Sequence, residues 1–291
     1  MQAIAFYILL PFIYLFMAIP YPLFYGLSDF VFFIVYYVVG YRKKVVFANL
    51  RNAFPEKSEG DIQKLARKFY RHLCDVFLEM FKTLTIRRSV MVKRCKISPQ
   101  ARALFDNYAA QNRSFIAILG HWGNWEWASS TFPLQCKHQL YMIYHPISNP
   151  YFEWLTKKLR TRFGNKVVPM QDTFKTMLAM RDELNVFGFI GDQTPPPEGA
   201  YWTTFLNQDT PVYQGTEKIA RKLNRPVVYI SIRKYRRGHY EIFAETLFEN
   251  PAQTKEGEIT ETHTRKLEQD ILSMPETWLW SHRRWKHARK K

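Results

Sequence analysis

Residues 114–126 read SFIAILGHWGNWE, and the fold is decided by what this stretch does. The apolar run that ends at Gly120 is too short for a free-standing helix and suits a buried strand. A helical pattern follows at 125–132, so strand passes to helix through a tight, glycine-containing turn. That is the repeating unit of a mostly parallel α/β sheet, in which ligands bind at the carboxyl ends of the strands. His121 falls at such an end.

Outward from this stretch the pattern repeats. Short apolar runs at 139–144, 186–190, 226–232 and 239–246 read as strands. Helical spacing appears between them at about 151–163, 173–184 and 212–224. Before residue 110 the chain is mainly helical. After a break at Pro55, Ser58 precedes apolar residues spaced by three and four from Ile62 to Leu84. Lys64, Arg67, Lys68 and Arg71 occupy the opposite face, which suits either anionic lipid headgroups or plain solvation. The expected fold is an α/β domain with a mostly parallel sheet flanked by helices, preceded by an N-terminal transmembrane helix.

That helix is expected within residues 3–25, which hold 23 residues without a charge; a bilayer crossing takes about 20 apolar residues. The segment lacks the basic start and small-residue cleavage site of a secretory signal. A second apolar run, 30–39, has only ten residues, too few to cross alone, and is expected in the interface or packed on the domain. Arg42, Lys43 and Lys44 follow and mark a cytoplasmic side. These features divide the chain into an anchor, 1–41, and a catalytic domain, 42–291.

Lys and Arg number 42 against 25 Asp and Glu, a net charge of +17, and aromatics make up 16% of the chain. Such a balance calls for an anionic partner, and abundant Trp and Tyr beside basic residues suit a membrane interface. Cys74, Cys95 and Cys136 are odd in number and have no metal-ligand spacing. They read as small buried hydrophobes in a reducing compartment.

The candidate chemistry rests on His121 and Glu126. Histidine, with an ordinary pKa of roughly 6.5, can take a proton from a hydroxyl near neutral pH. A carboxylate on the far ring nitrogen fixes the tautomer, as in Ser-His-Asp triads; here the hydroxyl would be the substrate's. Glu126, about one turn into the helix, is expected to turn back to the imidazole. The helix N-terminus offers amides to an oxyanion. No third ligand is evident for a metal reading.

The stretch GHWGNWEWAS at 120–129 resembles the His-x4-Glu motif of the bacterial lipid A biosynthesis acyltransferases, the lauroyl/myristoyl transferase family. Further segments agree in order: Asn149-Pro150 with Arg160-Thr161-Arg162-Phe163-Gly164, Gly191-Asp192-Gln193 at a strand end, Arg225-Pro226-Val227-Val228, and Trp278-Leu279-Trp280-Ser281-His282-Arg283-Arg284. The resemblance implies a glycerol-phosphate-acyltransferase-like fold. It also implies O-acyl transfer from acyl carrier protein, or from coenzyme A, to a hydroxyl of a lipid A precursor at the cytoplasmic face of the bacterial inner membrane, with no cofactor and no metal. On this basis His121 is the general base and Glu126 its partner. Arg162, with Arg160, holds a phosphate or polarises the thioester carbonyl, Asp192 and Gln193 order the site, and Asn124 contacts substrate. Leu206-Asn207-Gln208 departs from the family, which usually carries a glycine there. This loop and the Pro195–Pro197 run are expected to line the acceptor or acyl pocket.

Other readings remain open at this stage. One is a related enzyme acting on another glycolipid, an aminolipid or glycerol phosphate. The other is a basic membrane-binding or nucleic-acid-binding module without catalysis. The last explains charge and aromatics but not the Gly-His…Glu constellation, and nucleic acid is not the expected partner.

Overall fold

The computed structural model describes residues 2–287 and 289. The chain opens with α1 (Gln2–Ala18) and α2 (Tyr21–Phe33), the latter extended by a wider π-helical turn over Ile34–Val39. Helices α3 (Lys43–Ala53), α4 (Glu59–Lys82) and α5 (Arg88–Arg94) follow, then β1 (Cys95–Ile97) and α6 (Pro99–Ala110). The alternating region comprises β2 (Phe115–Leu119), α7 (Trp125–Gln135), β3 (Gln139–Tyr144), α8 (Pro150–Thr161), β4 (Lys166–Pro169), α9 (Thr173–Ala179) and β5 (Asn185–Ile190). It closes with β6 (Tyr201–Phe205), β7 (Gln208–Val212), α10 (Gly215–Leu223), β8 (Val227–Arg236), β9 (His239–Phe248) and α11 (Glu258–Ser273).

Seven strands form one sheet in the order β1-β9-β8-β2-β5-β3-β4. All neighbours are parallel except β8 and β9, which make an antiparallel hairpin. The mostly parallel α/β fold expected from the strand–helix alternation is therefore present. Sequence periodicity passes over β1 and β4, which are three and four residues long, and the β6–β7 hairpin. It also misses α11, whose inward face mixes Ile259, Leu267 and Ile271 with buried Thr260, His263 and Thr264. Helix 173–184 is shorter than expected, ending at Ala179. Ser58 caps α4 as its position suggested, its Oγ accepting from the Asp61 amide at 3.2 Å.

Two expectations need correction. The uncharged segment 3–25 is not one helix, because the chain breaks at Ile19-Pro20; Pro20 cannot continue α1 and instead starts α2. Among the described residues the one helix long and apolar enough to cross a membrane is Tyr21–Val39, which absorbs the second apolar run. The Leu206-Asn207 turn does not line the apolar cavity described below. It is the two-residue loop of the β6–β7 hairpin, with φ of 49° and 62°. Both residues are left-handed, as a tight hairpin requires, which is a physical reason for a glycine at this place. Buried Leu206 is held there by its amide, which donates to Glu268 Oε1 at 2.5 Å.

Candidate active site

Parallel register builds the centre of the site. Leu119 of β2 sits opposite Ile190 of β5. Two residues beyond these partners the chain carries His121 and Asp192, so the two side chains leave adjacent strand ends together. The Asp192 Oδ1–His121 Nδ1 distance is 2.6 Å. An ionised carboxylate only accepts, so Nδ1 carries the hydrogen and Nε2 presents a lone pair. Asp192 Oδ2 accepts from the His121 amide at 2.8 Å and from Trp278 Nε1 at 2.8 Å. Burial alone would raise the Asp192 carboxyl, but the His121 imidazole and these donated bonds hold it down at about 2. The carboxylate is thus ionised at neutral pH inside the protein.

The acid beside His121 is therefore Asp192 and not Glu126, the pairing expected from the motif. Glu126, in the first turn of α7, receives the Arg160 guanidinium in two bonds, Nη2 to Oε1 at 2.5 Å and Nε to Oε2 at 3.2 Å. A bidentate pair of this kind occupies both carboxylate oxygens. Burial opposes the charge on Arg160, yet Glu126 beside it raises its pKa overall.

Two other expected substrate contacts, Asn124 and Arg162, are engaged within the protein instead. Asn124 is fully buried and caps α7: its Oδ1 accepts from the Trp127 amide at 2.9 Å, and its Nδ2 donates to Glu79 Oε2 at 2.7 Å. Arg162 spends its guanidinium on the main-chain carbonyls of Thr83 and Ile86, tying the end of α8 to the end of α4. Gln193 is exposed beside the site. Gly123 is required by geometry, since its φ is +70° and a Cβ would lie 2.0 Å from the Ile232 carbonyl oxygen.

The C-terminal segment straps the site closed, a role the sequence did not disclose. Besides the Trp278–Asp192 bond, the Leu279 amide donates to the His121 carbonyl at 3.1 Å. Asn49 Nδ2 holds the carbonyls of Trp280 and His282 at 2.9 and 3.0 Å. Arg284 is buried, gives Nη2 to the Pro211 carbonyl at 2.7 Å, and lines a small chamber behind Asp192 with His263 and Leu267. The quoted Trp-x-Trp-Ser-His-Arg-Arg run was a signal of importance, but only tertiary contacts give Trp278 its target.

Beside His121 lies an apolar cavity of about 80 Å³ between the sheet and α7. Leu119, Trp125 and Ile190 line its end nearest the histidine, and the Trp125 ring stands edge-on to the imidazole at 5.0 Å between centroids. Ala117 and Gly188, partners across β2 and β5, keep its floor low, and Ala128 does the same for its roof. Phe105, Phe132 and Val186 line it further in. Its apolar lining suits a fatty ligand. Among the described residues no group of three or more His, Cys, Asp or Glu is placed to hold a metal ion.

A histidine bonded to a buried carboxylate beside an apolar cavity, at the carboxyl edge of a mostly parallel sheet, suits acyl-transfer chemistry. The chain is a member of the bacterial lipid A biosynthesis acyltransferase family, whose model matches residues 1–287. No individual curated protein matches it.

Proposed function

We propose that this acyltransferase moves a fatty acyl chain from acyl carrier protein to a hydroxyl of a lipid A precursor. The observation that carries the reading is the 2.6 Å His121–Asp192 bond at the mouth of a cavity lined by aliphatic and aromatic side chains. The acyl chain lies in the cavity with its thioester carbonyl near Nε2. His121 takes the proton of the acceptor hydroxyl as its oxygen attacks that carbonyl. Asp192 stabilises the imidazolium that forms, and the proton then passes to the departing thiolate. Arg160, aimed by Glu126, stabilises the oxyanion. No cofactor or metal enters these steps.

The +17 net charge supports two anionic partners, the acyl carrier protein and a phosphorylated glycolipid. The same reading puts the protein at the bacterial inner membrane with its catalytic domain on the cytoplasmic side. Cavity length would select the acyl chain, since each buried CH₂ contributes about 0.8 kcal/mol until the closed end is reached.

The test is mass spectrometry of membrane lipids from cells with the gene, without it, and with only His121→Ala. Lipid A from the latter two should lack one acyl-sized mass while the variant still sediments with membranes. Full acylation in the His121→Ala strain would end this reading.

A further inference from the structure

The two N-terminal helices lie along the catalytic domain. Helix α2 runs antiparallel to α4 over its whole length. Tyr25 Oη donates to Glu79 at 2.7 Å, Ser28 Oγ donates to Asp75 at 2.7 Å, the Tyr36 ring stands 5.1 Å from that of Tyr70, and Tyr70 Oη donates to the Tyr41 carbonyl at 2.5 Å. Arg237, in the β8–β9 turn, binds Asp29 of α2 and Asp75 of α4 together, at 2.9 and 2.8 Å. Next to it Gly238, at φ +68°, approaches so closely that a Cβ would lie 1.7 Å from Tyr25 Oη. Helix α1 is fixed in the same way. Phe6 packs on Tyr151 of α8 at 5.3 Å, and buried Lys82 donates to the Met17 and Ile19 carbonyls at 2.6 Å each.

The outward faces of both helices are apolar. Leu15, Leu23, Phe30 and Phe33 are all half or more exposed. Basic groups stack on the aromatic rings at their edges: Lys43 at 3.9 Å from the Tyr36 ring centre, Arg71 at 5.1 Å from Phe32 and Lys158 at 4.7 Å from Trp154. Cations on aromatic rings beside an apolar face are the arrangement of a helix lying in the headgroup layer. A crossing by α2 is hard to reconcile with its partners. It would bring Arg237, Asp75 and the exposed Lys68 and Arg71 of α4 to hydrocarbon depth, or strip Tyr25, Ser28 and Asp29 of their bonds.

We propose that α1 and α2 form an in-plane platform that seats the protein in the anionic cytoplasmic leaflet without crossing the bilayer. This arrangement is independent of the acyl-transfer reading, because topology is measured without turnover. Two measurements test it. On the otherwise wild-type chain, an N-terminal protease-cleavable tag should survive protease added outside spheroplasts and be cut in inverted vesicles; cutting from outside overturns the proposal. In nanodiscs containing phosphatidylglycerol, fluorophores on Leu15→Cys, Leu23→Cys and Phe33→Cys should be quenched maximally by bromolipids of the same shallow depth. Depths that run from one leaflet through the centre to the other overturn it as well, including for a hairpin that keeps the N-terminus inside.

Discussion

At the scale of single residues, the two acids near His121 have different jobs, and their substitutions should separate. Asp192→Asn keeps shape but not charge, and should lower kcat by about 10³–10⁴-fold, as expected when a base loses its orienting carboxylate. It should cost nothing further once His121 is already Ala, because the two act as a unit. Glu126→Gln acts through Arg160 (bonded at 2.5 Å) and should cost about 10²–10³-fold, the scale of a lost oxyanion donor. The Glu126→Gln/Arg160→Gln double variant should be no worse than either single one. Steady-state kinetics on all six single and double variants decide; additive losses for Glu126 and Arg160 would mean they work separately. The Asp192 carboxyl, ordinarily titrating at 3.8, is held at about 2. Its contribution to stability is thus complete above pH 3.8 and is lost as pH falls toward 2.

At the scale of elements, two features join several pieces of the fold. The first is the cavity floor, made where β2 and β5 pair with Ala117 opposite Gly188. Filling it should shorten the preferred acyl chain. The open space at Gly188, whose added Cβ meets nothing closer than 3.7 Å, makes Gly188→Ala foldable and Gly188→Leu a plug. Chain-length competition assays should show a graded shift across these variants; an unchanged preference would place the acyl chain elsewhere. The second is buried Glu79, which accepts from Tyr25 of α2, Asn124 at the start of α7 and Tyr240 of β9, at 2.7, 2.7 and 2.8 Å. Burial, with Asp75 nearby, pushes its carboxyl up from 4.5 to about 7. The folded state therefore keeps a proton that the unfolded chain releases, and this stabilisation is full below pH 4.5 and lost as pH rises through 7. Buried His263 and His72 run the other way, pushed by burial from 6.5 to about 4 and about 3, and cost stability as pH falls below 6.5. The difference in Tm between Glu79→Gln and wild type isolates the first effect. It should move in favour of the variant from pH 4.5 to 7, and parallel curves would refute the assignment.

At the scale of the whole molecule, the N-terminal helices and the catalytic domain are joined by charge as well as by apolar packing. Arg237→Ala would leave Asp75, only 2% exposed, with Lys234 at 3.7 Å as its remaining cation. The loss should approach about 3 kcal/mol, the low end for a broken buried pair because Arg237 is itself partly exposed. Thermal melts in detergent measure this, and Asp29→Asn, which removes an exposed acid, should cost far less. Equal losses from the two would show that the bond to α2, and not the buried acid, carries the energy.

The sequence by itself determined the α/β class, the strand end that carries His121, the family and the apolar, basic character of the N-terminus. Each is written in local periodicity, composition or a contiguous motif. Only the tertiary structure decided that Asp192 is the acid on the imidazole and that Glu126 serves Arg160. Spacing along one chain cannot say that β5 pairs with β2, and strand register is fixed by the packing of both faces of the sheet. The same limit hid Arg162 in the α4–α8 joint, Trp278 on Asp192, and the course of α2 along α4. Contacts between residues 29 to 86 positions apart exist only after the core has brought them together.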